Sequence, residues 1–198
     1  MTFDNILSEY WSEEQIKLLQ STKILIIGCG GLGSNVAHCL VRSGVKKIGL
    51  IDFDKVTYSN LNRQFYFIHQ VGLFKVEALK TNLLQINPDL EISTYNIKIT
   101  DDNIDNIILN YHIVVEAVDI DKTKTLIFEK SLKYSKPVVC ASGVAGYGDC
   151  DSLKIKRTGF FSIIGDFVTS NLQKRPYSPK VTAIASMQAD EVLRMVLK

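Results

Sequence analysis

Charge of one sign, long apolar runs and paired cysteines are what this sequence has little of. Its 198 residues carry 23 basic and 21 acidic side chains, a formal net charge of +2. Neither nucleic acid nor an anionic membrane is therefore expected as the main partner. No apolar stretch approaches the ~18 residues that span a bilayer. The opening MTFDNILSEYWSEEQ carries acidic residues early and lacks the basic-then-apolar order of a secretory leader, so a cytoplasmic location is expected. Cys29, Cys39, Cys140 and Cys150 form no C-x-x-C pair, so no structural zinc site is expected. In a reducing compartment they read as buried or inert thiols. Internal repeats, low-complexity tracts and linkers are absent too, and one domain over 1–198 is expected.

What is present is the composition of a globular protein, 46% hydrophobic and 22% charged, with enough apolar material for a sizeable core. Short apolar runs alternate with helical spacing. KILII (23–27), KKIGLID (46–52), LEISTYNI (90–97), YHIVVEAVD (111–119) and KPVVCAS (136–142) read as strands. Between them lie helices, one from Ser34, one carrying Val76, Leu79, Leu83 and Ile86 and stopped by NPD, a short one at DDNIDNIIL, and one over 122–134. Ser12 and Gln15 make a capping box for an early helix. This alternation predicts a Rossmann-like, doubly wound, mostly parallel α/β sheet with helices on both faces. After Gly143, SLKIKR and FFSII around Thr158–Gly159 predict a C-terminal antiparallel hairpin. QKRPYSPK (173–180) reads as a loop, and Val181, Ile184, Val192 and Met195 place a last helix on the sheet.

Ligands of such sheets sit beyond the carboxyl ends of the strands. GCGGLGS (28–34) puts Gly28, Gly30, Gly31 and Gly33 between a strand and a helix whose free N–H groups and positive dipole end favour phosphate. Asp52 follows at the spacing of a ribose-binding carboxylate. These features suit NAD and ATP equally. YSNLNRQ (58–64), read as a turn capped by Ser59, puts Asn60, Arg63 and Gln64 on one face. Arg63 and Lys75 supply cations that a triphosphate needs and NAD does not. Asp119 is then a ligand for Mg²⁺, which takes few carboxylates besides phosphates. Asp54 and Asp121 read as surface or capping residues, and Cys29 as a small neutral member of the loop.

GCGGLGS, IDFDKVTYSNLNRQ, VGLFKVEALKTNLLQINPD and VVEAVD together resemble the ThiF/MoeB/HesA family, relatives of the ubiquitin-activating enzymes. The resemblance runs from about Glu13 to Lys198, and ASGVAGYG resembles the short ThiF of thiamine biosynthesis. It implies that ATP and Mg²⁺ adenylate the C-terminal glycine carboxylate of a ThiS-like sulfur carrier. Asp52 would hold the ribose, Asn60, Arg63, Gln64 and Lys75 the phosphates, and Asp119 the metal. It also implies a homodimer. Paired C-x-x-C zinc motifs, a rhodanese-like extension and a thioester-cysteine domain are missing from this chain, and no arginine precedes Arg42. Cys150 is the candidate for sulfur chemistry.

Four functions follow as alternatives: adenylylation of a ThiS-like or MoaD-like carrier, adenylylation of a carboxylate on a modified tRNA nucleoside, an NAD-dependent dehydrogenase, and a nucleotide-binding subunit without catalysis. The carrier's tail is expected in a groove bounded by residues 173–180 and the hairpin.

Overall fold

A computed structural model describes residues 3–170 and 174–198. Its strands are β1 (Lys23–Ile27), β2 (Lys47–Ile51), β3 (Glu91–Tyr95), β4 (Ile113–Glu116), β5 (Val138–Ala141), β6 (Lys154–Thr158) and β7 (Phe161–Gly165). They form one seven-stranded sheet in the order β3-β2-β1-β4-β5-β7-β6. Every pairing is parallel except that of β6 with β7. The helices are α1 (Phe3–Leu7), α2 (Glu13–Ser21), α3 (Gly31–Arg42), α4 (Lys75–Leu84), α5 (Asp101–Ile108), α6 (Asp121–Lys133) and α7 (Ser178–Val196).

β1 shows why the strands are continuous apolar runs. Successive side chains of a strand point to opposite faces. Ile24 and Ile26 enter a core with Leu40 of α3, Leu79 of α4 and Ile184 of α7. Leu25 and Ile27 enter a second core with Ile104 of α5 and Ile127 of α6. Both faces are covered, so no alternation with polar residues is possible. Each such buried Ile or Leu is worth roughly 1.5–3 kcal/mol over its exposed state.

Several boundaries differ from the sequence reading. Helix α3 begins at Gly31 rather than Ser34. Glycines are poor helix formers, but tertiary packing overrides propensity, because a Cβ at Gly31 would come within 2.9 Å of Val181 Cγ1 on α7. Strand β4 ends at Glu116, not Asp119. Glu116 Oε1 accepts the Val118 N–H at 2.9 Å and so turns the chain out of the sheet. The expected antiparallel hairpin extends the sheet at its edge, β7 pairing parallel with β5 and antiparallel with β6. Of the expected 173–180 loop, Gln173 lies outside the described residues, and Ser178–Lys180 is already the first turn of α7, with proline at its N-terminus.

Candidate functional site

A cleft of ≈ 660 Å³ opens at the carboxyl ends of β1, β2, β4 and β5, lined among others by Ile27, Ile51, Ala117 and Ala141. It lies where the chain order reverses between β1 and β4, the crevice in which open α/β sheets bind ligands. The glycine loop is its floor. Gly28 has φ +95°, and a Cβ there would lie 2.5 Å from the Ala117 carbonyl oxygen. At Gly33 a Cβ would lie 1.8 Å from the Gly28 carbonyl oxygen. The N-terminus of α3 carries no side-chain cap, which leaves its first N–H groups for a ligand.

Asp52 braces this loop. Its Oδ2 accepts the Cys29 N–H at 2.7 Å and its Oδ1 the Asp54 N–H at 2.8 Å. Burial raises the Asp52 carboxyl above its ordinary range, opposed by the Lys75 charge. Burial likewise pushes up the Cys29 thiol, and Asp52 adds to the effect. Cys29 is thus a filled position in the core, as its sequence context suggested.

Ser34 and Asn35 draw the cationic segment against the loop. Ser34 Oγ accepts the Phe65 N–H at 3.0 Å, and Asn35 Nδ2 donates to the Arg63 carbonyl at 3.0 Å. The turn Tyr58–Asn60 is started by Thr57, whose N–H donates to Asn60 Oδ1 at 3.1 Å, and not by Ser59. A short polar side chain reaches a backbone N–H two or three residues away, and Ser59 is already inside the turn. Asn60, Arg63 and Gln64 all line the cleft. Gln64 Oε1 is buried with no hydrogen-bond partner among the described residues, an acceptor suited to a ligand's donor.

Lys75 is the first residue of α4, its side chain only 8% exposed, and pairs with Asp54 at 2.8 Å. Tyr66 ties the two walls together. Its hydroxyl lies 2.8 Å from the Cys29 carbonyl and 3.3 Å from the Lys75 carbonyl. Across the cleft, the buried Glu116 pairs with Lys124 at 2.8 Å, and Lys124 also donates to the Ala141 carbonyl at 3.3 Å. Burial raises the Glu116 carboxyl against the opposing Lys124 charge.

Gly28, Gly30, Gly31, Asp52, Asn60, Arg63, Gln64, Lys75 and Asp119 all line this one cleft. Gly33 does not; it packs beneath, against Gly28. Asp119 is exposed, and its carboxylate has no hydrogen-bond or ion-pair partner among the described residues. Asp54 and Asp121 also line the cleft; both are exposed, and Asp121 opens α6. Their strand-end and helix-start positions were the available signal. Tyr66, Glu116 and Lys124 carried no local signal. No residue of β6 or β7 lines the cleft, so the hairpin does not bound it; residues 141–144, Thr169, Ser170 and Pro176 form that wall. Cys150 is exposed and lies outside the lining.

The ThiF family model matches residues 4–198. The chain is 32% identical over 187 residues to the adenylyltransferase and sulfurtransferase UBA4 of Candida glabrata, covering 90% of this chain and 43% of that protein. To the adenylyltransferase and sulfurtransferase MOCS3 of Aedes aegypti it is 38% identical over 140 residues, 70% of this chain and 32% of the other. It therefore spans less than half the length of these relatives. In shape it is similar to the E. coli tRNA N6-threonylcarbamoyladenosine dehydratase TcdA in complex with ATP, with TM-score 0.87, 22% identity, and coverage of 98% of this chain and 93% of that one. E. coli MccB with AMPCPP and MccA gives TM-score 0.71 at 22% identity, over 92% of this chain and 58% of that one. A parallel sheet with a glycine-floored crevice and a family match over nearly the whole length agree: the chain belongs to the ThiF family.

Proposed function

We propose that the cleft binds ATP and transfers its adenylyl group to a carboxylate, the C-terminal glycine of a ThiS-like ubiquitin-fold sulfur carrier. The observation that carries this reading is the convergence of Arg63 and Lys75 on the cleft floored by the glycine loop. NAD would be satisfied by the helix N-terminus and Asp52 and would leave both cations idle. The names of UBA4 and MOCS3 as adenylyltransferases and the ATP bound in TcdA point the same way.

In this reaction a carboxylate oxygen forms a bond to the α-phosphorus, the bond to the β-phosphoryl oxygen breaks, and pyrophosphate leaves with that electron pair. The charges balance with no proton moved and no nucleophile on the protein. The barrier is the approach of an anion to an anion, so positioning and charge stabilisation do the work. Asp52 would accept the ribose hydroxyls, the α3 N-terminus and Asn60 would donate to phosphate, and Arg63 and Lys75 would balance the charge growing on the leaving group. Mg²⁺, when bound, would add a Lewis acid to the phosphates, and Asp119 would hold it. Among the described residues no three His, Cys, Asp or Glu are gathered for a metal, and an ion that keeps its waters and takes phosphate oxygens needs no such group.

ATP–pyrophosphate exchange with Mg²⁺ and a carrier ending in Gly-Gly tests the reading. Exchange by the wild type, and its fall by about 10²-fold or more in Arg63→Ala, is expected. No exchange above the Arg63→Ala background would sink it. A tRNA-borne carboxylate is the second reading, favoured by the likeness to TcdA; a mobility shift with tRNA at physiological salt would promote it. Pairing into a homodimer is supported by the exposed Tyr58, Phe67, Ile68, Leu73 and Phe74 on one segment beside the cleft. A single-chain mass in sedimentation equilibrium would exclude it.

A further inference from the structure

Lys75 has an unusual position for a cation. It opens α4, where the helix dipole is positive and anions are favoured, and the helix has no side-chain cap there. Its side chain is 8% exposed, so it cannot turn to water, and it needs an anion close by. Asp54 is that anion in the free protein, at 2.8 Å. The two partners differ in freedom. Asp54 is 51% exposed on its side chain. Its backbone is fixed independently, its N–H on Asp52 Oδ1 at 2.8 Å and its carbonyl on the Lys75 N–H at 2.9 Å. The carboxylate can therefore swing to solvent without disturbing the cleft, and the ammonium stays.

We propose that Asp54 is an exchangeable counter-ion: it holds Lys75 while the cleft is empty, yields it to the polyphosphate, and competes to take it back when pyrophosphate must leave. This deepens the adenylyltransferase reading and rests on it. Arg63 shows the contrast. Its guanidinium donates to the Ser59 carbonyl and Asn62 Oδ1, neutral groups that offer no rival charge. Lys75 is the phosphate-facing cation for which the protein carries a built-in competitor. Asp54 acts through Lys75 and is a positioning residue.

The test is calorimetric titration of inorganic pyrophosphate with Mg²⁺ into wild type, Asp54→Asn and Asp54→Glu, with product inhibition of exchange read in parallel. Removing one charge beside the ammonium at a half-exposed site is expected to tighten pyrophosphate by about tenfold. The inhibition constant falls in step, and turnover falls with release while the KM for ATP does not rise. Asp54→Glu keeps the charge and the wild-type affinity. Unchanged or weaker pyrophosphate binding in Asp54→Asn would overturn the proposal, because an aspartate that merely orients Lys75 gives that result. Equal tightening in both variants would overturn it too, since charge would then not be the cause. A wild type that binds neither MgATP nor pyrophosphate would instead remove the nucleotide reading itself.

Discussion

Tyr66→Phe isolates one hydroxyl that joins the two walls of the cleft. The ring stays, so packing in the core is preserved, and only the Oη group goes. That group is buried and lies 2.8 Å from the Cys29 carbonyl, in the middle of the glycine loop. Its contact to the Lys75 carbonyl, at 3.3 Å, matters less, because that oxygen sits in the first turn of α4 and serves the helix. The variant leaves the Cys29 carbonyl without its side-chain donor in a dry site, a cost of about 1–2 kcal/mol. For a chain of this size the melting midpoint is expected to drop by about 3–6 °C. Burial raises the phenol well above its ordinary value, and the Asp52 charge adds to it, so the hydroxyl keeps its proton and donates at every working pH. The loss in a thermal melt is therefore expected to be the same at pH 6 and pH 9, and MgATP affinity to fall with it. A variant as stable as the wild type, or a loss that grows with pH, would refute the tie between Tyr66 and the glycine loop.

Two further outcomes probe the frame around the site. Gly33→Ala places a methyl where the Gly28 carbonyl oxygen already is, 1.8 Å away, and backbone cannot yield as a side chain can. It is expected to lose more than about 4 kcal/mol, seen as absent native circular dichroism, and a soluble, cooperatively melting variant would contradict it. Glu191 is buried in α7; burial alone would raise its carboxyl, but hydrogen bonds from Arg157, Ser162 and Arg194 outweigh this and hold it at about 2. A depressed carboxyl stabilises the fold above its unfolded value of about 4.3 and loses that contribution as pH falls through the folded one. The gap in melting temperature between wild type and Glu191→Gln is expected to shrink from pH 5 to pH 2, and a constant gap would exclude the ion-pair account.

Most of the sheet was legible because its signals are local. KILII and VVEA are apolar without alternation since both faces are covered, and the helices between them repeat at helical spacing. Gly28, Gly30, Asp52 and Lys75 could be placed for the same reason, as each follows a strand or opens a helix. Asp54 reads only as a surface or capping residue because nothing near it in sequence shows Lys75, 21 residues on, returning to it. Nothing near Tyr66 in sequence shows its hydroxyl meeting Cys29, 37 residues earlier. The hairpin was readable as a hairpin but not as part of the sheet, since nothing in it names β5 as its neighbour.

By itself the sequence determined the alternation of strands and helices, the glycine loop and the order of charged residues that follows it, because propensity, periodicity and backbone sterics act over a few residues. The tertiary structure alone decided which of those charges meet. Ser34 and Asn35 hold the 63–65 segment to the loop across 31 and 28 residues, Asp54 finds Lys75, and Glu116 finds Lys124. Hydrogen bonds and ion pairs are short-ranged and indifferent to chain separation, so only the packed chain could say which were made.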